Sequence, residues 1–180
     1  MRPTLTRRGA LGGAAALALA SCGGDPPPST GPKAGSGAGL LNSIVALEHA
    51  AIAAWAAIGE VLSGDARGYA QTIRAREVYN AARVAELVRG LGGTPPNARR
   101  PEDYAPLFPR MRTPEDALHF ARDLEERLVR AYLEALRLLP DPDQRRAAAE
   151  IAAAQAEDLA VVHVLAGEPA APQPFVTGTL

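Results

Sequence analysis

Between residues 40 and 167 the apolar side chains recur three and four positions apart through four successive segments, the spacing of a helix with one buried face. The first segment, 40–62, carries Leu41, Ile44, Val45, Ile52, Trp55, Ile58 and Leu62, and Ser63-Gly64-Asp65 closes it and caps the next. The second, 66–91, has its seam through Ile73, Val84, Leu87, Val88 and Leu91, and Gly92-Gly93 ends it. The third opens at Thr113-Pro114-Glu115-Asp116, a capping residue, a first-turn proline and acids near the positive helix end. Its seam runs Leu118, Ala121, Leu128, Tyr132, Ala135, Leu136 and Leu139. The fourth opens in the same way at Asp141-Pro142-Asp143-Gln144, and Gly167 followed by Pro169 stops it. Aromatics are only 4% of the chain and alanine is abundant, which suits close-packed helices better than sheets.

The connections are unequal. A few residues join the first helix to the second and the third to the fourth, and joints that short make antiparallel hairpins. The connection from Gly92 to Thr113 is long and rich in Pro and Arg. Helices of ~24 residues are ~36 Å long, and a linker of about 21 residues can reach ~70 Å, enough to cross the bundle from end to end. The predicted fold is therefore all-α: a four-helix bundle of two antiparallel hairpins with one long crossover between helices two and three.

The chain before this domain reads differently. Arg2, Arg7 and Arg8 precede a short apolar run from Ala10 to Ala20, about half of the ~20 residues a membrane-spanning helix needs. Residues 1–21 are read as an export signal. Leu19-Ala20-Ser21-Cys22 resembles the bacterial lipobox, in which cleavage precedes a cysteine that is then lipidated, and Arg7-Arg8 resembles a twin-arginine signal. Residues 22–39 are mostly Gly, Pro, Ser and Thr with little to bury and are read as a flexible tether, and residues 168–180 are read as a C-terminal tail. These features predict a bacterial cell-envelope lipoprotein held to the membrane through Cys22. The only cysteine of the chain stands there, so no internal disulfide or cysteine zinc site is available. The 19 basic and 20 acidic residues leave a net charge of −1, which excludes a strong nucleic-acid footprint. A homo-oligomer or an envelope protein partner fits this setting.

Each helix carries something polar where its seam calls for an apolar residue. These are Glu48 in the first, Glu77 and Asn80 in the second, Glu125 in the third, and Gln155 and Asp158 in the fourth. Burying a lone carboxylate costs several kcal/mol, so several of them need a shared reason.

That arrangement resembles the ferritin-like superfamily, and specifically its small secreted branch. Leu47-Glu48-His49-Ala50, Leu91-Gly92-Gly93-Thr94-Pro95 and Gln155-Ala156-Glu157-Asp158-Leu159-Ala160 carry further likeness. The resemblance implies a ferritin-like four-helix bundle. It also implies a site in which a Glu from each of two helices and a Glu-x-x-His from each of the others hold two metal ions. Glu48, Glu77 and Glu125 match the carboxylate positions, Asn80 and Asp158 stand where the family has histidines, and Gln155 stands for a glutamate. Both imidazoles are thus replaced, and imidazole is what favours iron. The remaining all-oxygen set suits a hard cation such as Mn, Mg or Ca. Arg76, Arg83 and Arg122 at the seam edges are alternative partners for the acids, and amides at 80 and 155 can hydrogen-bond them without metal.

His49, His119 and His163 lie at no i/i+3 or i/i+4 spacing from these acids and are expected on the flanks, as are Glu126 and Glu157. Trp55, Tyr69, Tyr79 and Tyr132 read as packing, and Arg99, Arg100, Arg110 and Arg112, interleaved with Tyr104 and Phe108, as a solvated loop. Two functions follow. One is a non-catalytic, membrane-tethered module with a degenerate metal site, acting in protein interaction or envelope stress. The other is a metal-binding oxidase or storage protein, using Fe or Mn through an altered ligand set. The lost imidazoles favour the first, and four acids kept in apolar seams favour the second.

Overall fold

In a computed structural model of the chain, residues 37–172 are described, so the export segment, Cys22 and most of the tether and tail lie outside them. The described residues form four long helices, α1 (Gly37–Val61), α2 (Gly64–Gly90), α4 (Pro114–Leu138) and α5 (Pro142–Leu165), with a one-turn α3 (Pro101–Tyr104) in the crossover. The bundle's four sides are α1–α2, α4–α5, α1–α4 and α2–α5, the last the most thinly packed. Along α1 the polar contacts run from Glu48 to Trp55 while their α4 partners run from Tyr132 back to Glu125, so these helices are antiparallel. Topology and helix count match the all-α bundle expected from the seams.

The local chemistry explains the ends. Thr113 and Asp116 form a reciprocal capping box at the start of α4, and the Asp141 side chain accepts from the Gln144 N–H at 2.9 Å at the start of α5. Ser63, expected to cap α2, makes no side-chain capping bond. Instead Arg67 Nε donates to the Gly59 and Leu62 carbonyls, both at 2.9 Å, closing the first hairpin. Arg145 does the same for the second hairpin, donating to Leu139 and Pro140 carbonyls at 2.7 and 2.8 Å. At the end of α2, Gly92 takes φ +72 and the Gly93 N–H reaches the Val88 carbonyl at 2.9 Å. A Cβ on Gly93 would stand 2.9 Å from Val88 Cγ1, so only glycine fits that approach.

Three local features differ from the sequence reading. Helix α1 begins at Gly37 because Ala38 is buried and Gly37 lies against Leu91 and Leu139, so packing overrides a composition that reads as tether. Glu168, assigned to the tail, is tied back onto α5 and α4 through His163 and Arg122. The crossover is not a plain solvated loop: Tyr104 is buried and its hydroxyl accepts from the Arg99 N–H at 2.9 Å. Phe108 also packs inward, its ring centroid 5.5 Å from that of Phe120. The crossover arginines do stay exposed, with Arg100 paired to Glu102 and Asp103.

The core has two apolar halves. One gathers Leu41, Val45, Val88, Tyr132, Leu139 and Ile151; the other gathers Trp55, Ile58, Ile73, Leu118, Leu128 and Val162. Helix α1 is apolar enough to cross a membrane by length and composition, with mean hydropathy 1.5, and here it is spent on both halves of this core. Between the halves lies a polar layer.

Candidate metal centre

All six polar seam residues are buried: Glu48, Glu77, Glu125 and Gln155 at 0%, Asp158 at 1% and Asn80 at 2% exposure. Hydrogen bonds link Glu48 and Glu77 through Gln155, and one oxygen each of Glu77, Glu125 and Asp158 lies within 4.8 Å of the other two.

Two aromatic residues complete the layer as donors. Trp55 Nε1 donates to Glu125 Oε1 at 2.8 Å, and the Tyr132 hydroxyl donates to Glu48 Oε1. The relation is reciprocal: Trp55 lies seven residues after Glu48 on α1, Tyr132 seven after Glu125 on α4, and each aromatic serves the other helix's acid. Seven residues is two helical turns, which keeps acid and aromatic on one face. That repeated spacing was available in the sequence, where both aromatics read as packing only.

The amides point their N–H groups at the acids. Gln155 Nε2 donates to Glu77 Oε2 at 2.9 Å and to Glu48 Oε1 at 3.4 Å, and Asn80 Nδ2 donates to Glu77 Oε2 at 3.3 Å. On the far side Arg76 Nη1 stands 3.1 Å from Asp158 Oδ1 and 3.7 Å from Glu157 Oε2. Of the arginines considered as partners for the acids, Arg76 alone reaches the layer; Arg83 pairs with Glu86, and Arg122 with Asp123 and Glu168. Glu48 Oε2, Glu77 Oε1, Glu125 Oε2 and both Asp158 oxygens accept no hydrogen bond.

The electrostatics follow from burial. Desolvation pushes the Glu48 carboxyl well above the usual range, helped by the neighbouring Glu77 carboxylate and opposed by Tyr132. Desolvation likewise raises Glu125, with Glu77 and Asp158 adding to it and Trp55 and Arg76 opposing. Asp158 is raised to about 7, by desolvation first, against the pull of Arg76. Burial and the neighbouring Glu48 raise the Tyr132 hydroxyl, so it stays a donor. Burial therefore favours the protonated form of Glu48 and Glu125, and Asp158 changes charge near neutrality.

Of the flank residues, His119 is exposed and His49 half-buried, its imidazole pushed toward the neutral form by burial. His163, read as a surface or flank residue, is buried, its Nδ1 2.6 Å from Glu168 Oε2. The left-handed Gly167 turns the chain so that Glu168 covers it. Glu157 is exposed, as expected, and Glu126 is half-buried with Oε2 unpartnered.

A helical bundle with a mid-height layer of carboxylates defines a class of metal-carboxylate folds. The ferritin-like domain family matches residues 36–168, and the chain belongs to that family. Among solved structures it is similar to the crystal structure of a conserved hypothetical protein, rv2844, from Mycobacterium tuberculosis. The TM-score is 0.67 at 16% identity, covering 77% of this chain and 93% of that one, a likeness of fold. No curated protein matches the chain.

The residues do not fit the two-metal centre that the family implies. The Gln155 amide presents its N–H donors to both the Glu48 and the Glu77 carboxylates, which would otherwise serve as ligands. A cation and an N–H group compete for the same lone pairs, and neither Asn80 nor Asp158 supplies imidazole.

Proposed function

We propose that the chain is an exported ferritin-like lipoprotein, anchored to the membrane through Cys22, whose carboxylate layer is a degenerate metal site and not a redox centre. The observation that carries the non-catalytic half is the Gln155 amide donating to both Glu48 and Glu77. In this reading protons, amide donors, Trp55 and Tyr132 take over the neutralisation that two metal ions would supply. The layer then serves the fold: its directional bonds fix the register of α1 against α4 and of α2 against α5. The function lies outside it, in presenting the domain at the envelope surface for protein interaction or envelope stress.

The anchoring half rests on the basic start, the short apolar run and Leu19-Ala20-Ser21-Cys22. Metabolic labelling with a fatty acid in a bacterial host tests it. Label is expected on the natural protein and absent from Cys22→Ala, with the variant released from the membrane fraction. Label surviving in the variant would remove the anchor from the account.

A further inference from the structure

We infer that Arg76 is a built-in counter-ion that holds a latent one-cation site closed, and that removing its charge opens this site to a divalent ion. The inference rests on the metal-free reading above and goes beyond it. Glu77, Glu125 and Asp158 each place a carboxylate oxygen within 4.8 Å of the other two. Four oxygens of this trio, Glu77 Oε1, Glu125 Oε2 and both of Asp158, accept no hydrogen bond although the residues are at most 1% exposed. Buried carboxylate oxygens without donors are where a hard cation gains most. The Gln155 and Asn80 amides donate to Glu48 Oε1 and Glu77 Oε2 and leave these four oxygens alone.

The guanidinium of Arg76 is the positive group beside them. Its contact with Asp158 is an ion pair at 3.1 Å that lacks hydrogen-bond alignment, since both Asp158 oxygens count as unbonded. Its side chain is 33% exposed and also reaches Glu157, itself 78% exposed, so the head can swing outward along the surface. Arg76 and Asp158 lie on the α2–α5 side, where the bundle is most thinly packed. A fixed positive charge a few ångströms from a bound dication opposes it strongly in a buried setting. Arg76 thus both neutralises Asp158 and excludes a competing cation.

The test compares the natural protein, Arg76→Gln, Arg76→Lys and the double variant Arg76→Gln/Asp158→Asn, each titrated with Mn²⁺ and with Ca²⁺. Binding is read by equilibrium dialysis and by the shift in melting temperature. Arg76→Gln is expected to bind one ion at least about tenfold more tightly than the natural protein. Arg76→Lys, which keeps the charge, should behave as the natural protein, and the double variant should lose the gain. If Arg76→Gln unfolds without metal because Asp158 is left unpaired, recovery of helicity on adding Mn²⁺ supports the inference, and failure to recover overturns it. If neither protein binds, the Arg76 assignment falls and the metal-free reading stands. Equal tight binding by both removes the two together. Measurable binding by the natural protein, improved tenfold in Arg76→Gln, keeps the Arg76 assignment and removes only the metal-free reading.

Discussion

The purified, chelator-treated protein is expected to be more stable near pH 5 than near pH 8, the reverse of ordinary acid denaturation. Glu48, Glu125 and Asp158 are all held above the usual carboxylate range in the folded state, chiefly by burial. In the unfolded chain these groups ionise in the ordinary range near pH 4, so above that the folded state carries more protons than the unfolded state. Stability is then lost as pH rises through about 7 for Asp158, and as Glu48 and Glu125 are forced to ionise above their ordinary range. Asp158 alone accounts for on the order of 3 kcal/mol between pH 5 and pH 8. Thermal melts across this range check it, and a melting temperature that climbs steadily from pH 5 to pH 8 would contradict the protonated layer.

The second large effect separates donors from acceptors within the layer. Gln155→Leu removes the bonds to Glu48 and Glu77 and leaves only Tyr132 and Asn80 serving those oxygens. It is expected to cost about 2–3 kcal/mol, because buried acceptors lose their donors. Glu125→Gln has the opposite sign. Its carbonyl can still accept from Trp55 Nε1, and its new amide stands beside the Glu77 and Asp158 carboxyl groups, each of which has an oxygen without a hydrogen bond. Near pH 8 this change is expected to be neutral or stabilising by about 1–2 kcal/mol, and to flatten the pH dependence. Chemical denaturation of both variants at constant pH makes the comparison. A clear loss of stability in Glu125→Gln would mean that its carboxylate is charged and bound to a cation.

The sequence carried much of this because the buried layer interrupts otherwise regular seams. Glu48, Glu77, Asn80, Glu125, Gln155 and Asp158 stood out as polar residues where helical spacing demands apolar ones, and all six are buried. The crossover was readable from its length, since only an end-to-end span uses so long a connection between helices of this size. What was not readable depended on which way side chains turn. Trp55 and Tyr132 are apolar enough to pass as core, and only the reciprocal seven-residue spacing marks them as donors. His163 looked like a flank residue because its partner, Glu168, comes from beyond the helix, after a left-handed glycine. Tyr104 and Phe108 sit among prolines and arginines, and their burial is decided by the bundle they cross and not by their neighbours.

The most direct measurement is the metal content of the protein purified without chelators, before and after exposure to Fe, Mn, Zn and Ca, with melting temperature followed in parallel. A layer neutralised by protons, amides and Arg76 should hold far less than one ion per chain and gain no thermal stability from any of the four. Iron or manganese at one or two ions per chain, lost on Glu77→Ala, would contradict that account and restore a working metal centre.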